Sequence, residues 1–137
     1  MKSELKLEKG MRLAGINELG LITYFDTHPE VGGEDTAPTP LEVMLQSLAG
    51  CTAMDVLSML RKRRKIIDDF SIDLIAERAQ EHPKVFTKVK MTYNLKSPDA
   101  TVEEFKKVIA LSQDKYCSAS AMFKRSGCNV IWEAKII

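Results

Sequence analysis

The spacing of apolar and polar positions changes several times along the chain, and each change predicts an element. LKLEKGMRLAG, residues 5–15, reads as two short strands about Gly10. NELG (17–20) reads as a turn and LITYF (21–25) as a third strand, rich in β-branched and aromatic residues. DTHPEVGGEDTAPT (26–39) follows as a long loop of glycine, proline and acids. Structureless loops of this length are uncommon and often functional.

The sharpest local signal is TPLE at 39–42. Thr39 suits an N-cap, Pro40 suits the first helical position, and Glu42 can close a capping box. A helix is predicted from Pro40 to about Lys65. Its apolar residues, among them Leu41, Met44, Leu48, Met54, Val56 and Leu60, cover nearly the whole circumference, which predicts burial on every side. RKRRK (61–65) places cations at its negative end and reads as a solvated helix terminus. In FSIDLIAE (70–77) and FTKVKMTYNLK (86–96) apolar residues alternate, the pattern of half-buried strands joined through RAQEHPK. SPDATVEEFKKVIALSQDKY (97–116) reads as a helix capped by Asp99 or Thr101. CSASAMFKRSG (117–127) reads as a second, short helix ended by Gly127, and CNVIWEAKII closes the chain as a strand.

Three strands, a long helix, two strands, two helices and a strand predict an α+β fold with a mainly antiparallel sheet, as one domain over residues 1–137. A chain of 137 residues supplies roughly one sheet face, too little to bury a helix that is apolar all round. The small residues Ser47, Ala49, Gly50, Cys51 and Ala53 would let a second helix approach, so a symmetric homodimer is expected.

Composition narrows the function. Apolar residues make up 45% of the chain and the net charge is +1, which argues against disorder and against an overall pull toward nucleic acid or anionic membrane. The N-terminus lacks the apolar core of a signal peptide, and polar residues interrupt the most apolar stretch, 43–60, so a cytoplasmic protein outside the membrane is expected. Three cysteines, none in a CxxC pair, and two histidines, each before a proline in a turn, predict neither a disulfide framework nor a zinc site. Cys51 lies mid-helix with Asp55 at i+4. It is either a small core residue or a thiol activated by a cation from another element. Cys117 sits at the break between two helices, where a thiolate can be stabilised or a boundary residue packed. Two such cysteines are compatible with a peroxidatic and resolving pair, while Cys128 reads as structural.

PLEVMLQSLAGCTAMDVLSML (40–60), HPKVFTKVKMTYNL (82–95) and LSQDKYCSASAM (111–122) resemble, in the same order, motifs of the OsmC/Ohr family, and most closely its YhfA-like branch. The resemblance implies mainly antiparallel sheets wrapped around two long central helices in an intertwined homodimer, with the active site at the interface. It implies a thiol-dependent peroxidase that reduces organic hydroperoxides with a thiol or dithiol donor, without a cofactor. It places the peroxidatic role on Cys51 and the resolving role on Cys117. Peroxidase members carry an activating arginine before the helix; the only arginine upstream here is Arg12, which is expected near Cys51 across the interface. Three positions depart from the peroxidase pattern. Leu41 stands where those members carry a glutamate, with Glu42 rotated by about 100° from it. Arg12 has no unambiguous alignment, and Ser118 stands where a proline often follows the second cysteine. The competing reading is a non-peroxidatic dimer that binds a small apolar molecule, with Cys51 a neutral core thiol.

Overall fold

The alternating N-terminal stretches form strands β1 (Ser3–Lys9), β2 (Arg12–Asn17) and β3 (Ile22–Phe25), paired antiparallel in the order β1-β2-β3. Gly10 and Gly20 sit in the connecting turns at positive φ, the conformation glycine adopts without steric cost. The computed structural model describes residues 1–137, which divide into two compact units, Met1–Gln46 and Ser47–Ile137.

The loop after β3 folds on itself, with one short turn at Pro29–Val31. Buried Asp26 accepts hydrogen bonds from the Thr36 hydroxyl and from the backbone of Thr27 and Thr36. A Cβ at Gly33 would meet the Thr27 carbonyl oxygen at 1.9 Å, so the backbone closes there only because that residue is glycine. The two ends of the loop are thus held by its own polar groups, as in a packed Ω-loop.

Helix α1 runs Pro40–Lys62. The expected capping box forms: the Thr39 N–H donates to Glu42 at 2.7 Å and the Glu42 N–H to the Thr39 hydroxyl at 3.4 Å. The helix stops three residues short of the expected end, and Arg64 adopts a left-handed φ of 57°. Lys65 then turns back to Glu104 at 3.0 Å and to the Asp99 carbonyl at 2.9 Å, so part of the basic run ties two helices together. By length and composition α1 could cross a bilayer, yet its polar Thr52 and Asp55 are engaged with other elements of a folded core. Burial on every side is not what one chain provides. Leu48, Thr52, Val56 and Leu60, spaced by four, form the buried stripe, while Met44 and Met54 remain 48% and 73% exposed.

In the second unit β4 (Asp69–Arg78) pairs antiparallel with β5 (Phe86–Lys96), as the period-two patterns require. Val89, Met91, Tyr93 and Leu95 on one face of β5 are fully buried. β6 (Asn129–Ile136) lies parallel to β5, a departure from pure antiparallel pairing. The intervening helices cause it, because a chain that crosses over through helices can re-enter the sheet in the same direction. Of these, α2 (Val102–Leu111) is capped by Thr101, with Glu104 completing a second capping box. It continues into a π-helical turn, Ser112–Tyr116, and the chain breaks at Cys117 before α3 (Ser118–Arg125), which Gly127 terminates at φ 93°.

Candidate functional site

The break after α2 decides where the second cysteine goes. The π-helical turn widens the backbone, Cys117 leaves helical geometry at φ −73°, ψ 101°, and its sulfur becomes the N-cap of α3, accepting the Ser120 N–H at 3.3 Å. Such π-turns are often found where a side chain must be aimed at a site. Here the neighbour is Cys51, whose thiol lies close enough to help raise that of Cys117. Residues on two separate elements, far apart in sequence, form one dithiol. Cys51 is half-buried and Cys117 is 3% exposed.

Burial pushes the Cys117 thiol up to about 11. The Ser120 N–H opposes that rise, and the neighbouring Cys51 and Asp55 add to it. At neutral pH Cys117 therefore rests as the protonated thiol. Cys128 is buried just before β6, its thiol raised by that burial, and it matches the structural role expected of it.

Beneath the dithiol lies a buried polar chain that the motifs did not reveal. Gln113 donates from Nε2 to the Tyr93 hydroxyl at 2.9 Å, and Tyr93 meets Thr52 at 2.8 Å. Thr52 meets Ser112 at 2.8 Å, and Ser112 donates to Asp55 Oδ2 at 2.8 Å. A carboxylate only accepts. Ser112 spends its one proton on Asp55, so Thr52 donates to Ser112 and Tyr93 donates to Thr52. The chain runs in one direction from Gln113 to Asp55. Burial holds the Tyr93 phenol up at about 12, so it stays a donor. At its other end the side-chain Oε1 of Gln113 accepts the Ser120 hydroxyl, and Ser120 is the residue whose N–H holds Cys117. No buried side-chain polar atom lacks a partner. Thr52 follows Cys51 and Asp55 sits one turn on, so the same chain grips α1 beside one cysteine and α3 beside the other. The signal in the sequence was faint: a threonine in the buried stripe of α1, a tyrosine on the apolar face of β5, and SQ where the α2 stripe ends.

Two cavities open beside this core. One, of about 300 Å³, is lined by Asp55, Ser58, Met59, Lys62, Leu111 and Tyr116. The other, of about 340 Å³, is lined by Cys117 together with Lys115, Tyr116, Met122 and Arg125. No cluster of metal-ligating side chains is present.

Arg12, the third candidate residue, lies in the N-terminal unit, and the two cysteines lie in the C-terminal unit. Its Nε donates to Glu8 at 2.9 Å, its Nη1 to the carbonyl and hydroxyl oxygens of Thr36 at 3.0 Å each, and its guanidinium covers the Tyr24 ring at 4.3 Å. His28 and His82 both sit in turns before proline, as expected, and His28 Nδ1 pairs with Asp35 at 2.6 Å.

The sequence and the fold are similar to those of known proteins. A family described as OsmC-like protein matches residues 32–133. Protein YhfA of Escherichia coli strain K12 is 29% identical over 126 residues, covering 92% of this chain and 91% of that protein. A hypothetical protein from Aquifex aeolicus superposes with a TM-score of 0.79 at 27% identity, over 99% of this chain and 96% of the other. The organic hydroperoxide resistance protein OhrB of Bacillus subtilis shares the fold, with a TM-score of 0.64 at 16% identity over 98% of both chains. With the family match spanning most of its length and an α+β fold to agree, this chain belongs to the OsmC-like protein family.

Proposed function

We propose that this protein is a thiol-dependent peroxidase acting on organic hydroperoxides in the cytoplasm, and that one OsmC-like domain, 1–137, carries the activity. The observation that supports this reading is that Cys51 and Cys117, on separate elements, are close enough for each thiol to feel the other. Two neighbouring thiols are what disulfide formation needs. Cys51, the less buried of the two, is the attacking sulfur in this reading. Its thiolate attacks the terminal oxygen of ROOH and breaks the O–O bond. The alkoxide takes a proton and leaves as ROH, and Cys51 becomes a sulfenic acid. The Cys117 sulfur then attacks that sulfenic sulfur, and its proton leaves with the hydroxide as water. Two external thiols return the disulfide to the dithiol. The solved neighbour OhrB is itself named for organic hydroperoxide resistance.

Two further elements belong to this proposal. The exposed apolar residues of α1, Met44 and Met54 among them, are covered by a second copy of the chain. Arg12 is the cation offered to Cys51 across that interface. An Arg12→Ala variant with an unchanged pH dependence of Cys51 reactivity removes Arg12 from the mechanism.

The experiment is oxidation of the reduced protein with one equivalent of cumene hydroperoxide per subunit, followed by peptide mapping. An intrachain Cys51–Cys117 disulfide is expected, with Cys128 still reduced. In Cys117→Ser the reaction should stop at the Cys51 sulfenic acid and proceed to sulfinic acid with excess peroxide. Free thiols at both positions after prolonged exposure would leave the non-peroxidatic binding protein as the better reading.

A further inference from the structure

The cavity of about 340 Å³ beside α3 is lined by Cys117 but not by Cys51, the sulfur that the peroxide must reach. Two cations, Lys115 and Arg125, stand on its wall, and neither is held in an ion pair. Lys115 Nζ lies 5.3 Å from the centre of the Tyr116 ring. Tyr116, Ala121 and Met122 supply an apolar wall. Neither of two carboxylates that bear on this region lines the cavity: Asp114 is next to Lys115 in sequence, and Asp55 lines the other cavity, where it accepts from Ser112.

We propose that this cavity docks a small anionic thiol, which reduces the Cys51–Cys117 disulfide by attacking Cys117 Sγ. The inference rests on the peroxidase reading and adds the chemical class of the reductant and the sulfur that it strikes. The volume lies at the low end for small-molecule sites, which suits a thiol of few heavy atoms. The cations hold its carboxylate or phosphate, and the apolar wall holds its carbon chain.

The exchange balances in two steps. The first thiolate forms an R–S–S–Cys117 mixed disulfide and releases Cys51 as thiolate. A second thiolate attacks the R sulfur, releases Cys117, which takes up a proton, and leaves as R–S–S–R. Two thiols supply the two electrons.

The test needs no peroxide. The disulfide is formed with diamide, and its reduction is followed by stopped flow with 3-mercaptopropionate, neutral 2-mercaptoethanol and cationic cysteamine. Rate constants are compared per thiolate. Two cations in a solvated site predict a preference for 3-mercaptopropionate over 2-mercaptoethanol of about fivefold at low salt, with cysteamine slowest. The ranking should flatten at high salt and in Lys115→Gln/Arg125→Gln, two exposed positions whose replacement leaves the core intact. Acid quenching should trap the mixed disulfide on Cys117. Equal rates for the three thiols, a ranking unchanged in the double variant, or a mixed disulfide on Cys51 overturns the inference while the dithiol stands. If diamide forms no Cys51–Cys117 disulfide, the peroxidase reading falls and the inference falls with it.

Discussion

The hydroxyls of Thr52 and Ser112, sixty positions apart in sequence, meet at 2.8 Å in the buried interior. That one contact joins the middle of α1 to the π-helical turn, and with them the stretches that carry the two cysteines.

If the polar chain fixes the dithiol, breaking it should loosen both the fold and the pair. Gln113→Leu keeps most of the volume but strips partners from the Tyr93 and Ser120 hydroxyls. Leaving a buried polar group unsatisfied costs about 1–3 kcal/mol, so a loss of about 2 kcal/mol is expected in urea denaturation. Disulfide formation after diamide treatment should slow in parallel. A variant with wild-type stability and wild-type disulfide kinetics would show that the chain holds nothing in place.

The state of Cys117 can be read by alkylation. Its thiol is held up at about 11, mainly by burial, so its labelling by iodoacetamide at neutral pH should be slow and should climb as pH rises toward that value. Asp55 contributes to the rise through its charge. Asp55→Asn should therefore shift the labelling profile of Cys117 to lower pH, as resolved by peptide mass spectrometry. A profile that stays put or moves upward contradicts the geometry.

The N-terminal unit carries its own pH signature. The Thr36 hydroxyl, then the Thr27 and Thr36 amides, hold the Asp26 carboxyl down at about 2. A carboxyl that is more acidic when folded adds stability that is present above its unfolded pKa of about 3.9 and is lost as pH falls through the folded value. Amide exchange across residues 26–36 should thus stay protected at pH 5 and open between about 4 and 2. Thr36→Val removes the largest contribution and should move that opening to higher pH. Protection that is indifferent to pH in this window would rule the mechanism out.

The uncovered side of α1 predicts self-association. Met54 is 73% exposed on a helix whose buried stripe lies elsewhere. Light scattering should report a dimer at low micromolar concentration. Met54→Glu should shift it toward monomer, because a charge is costly to bury in an apolar contact. A folded wild-type monomer at that concentration would refute the proposed assembly.

The sequence by itself determined the elements. Thr39 and Glu42 announced the start of α1, alternation drew β4 and β5 with the correct face of β5 inward, and the break before α3 was placed at Cys117. These are local matters of capping, period and turn chemistry, and they act over a few residues. Family resemblance singled out Cys51 and Cys117, but spacing could not say that they are neighbours in space. Only the tertiary structure decided that, along with the parallel course of β6 and the one-way chain from Gln113 to Asp55. The physical reason is shared by all three. A contact between distant elements depends on how their faces pack and on which neighbour each buried polar group must satisfy, and no local pattern carries that information.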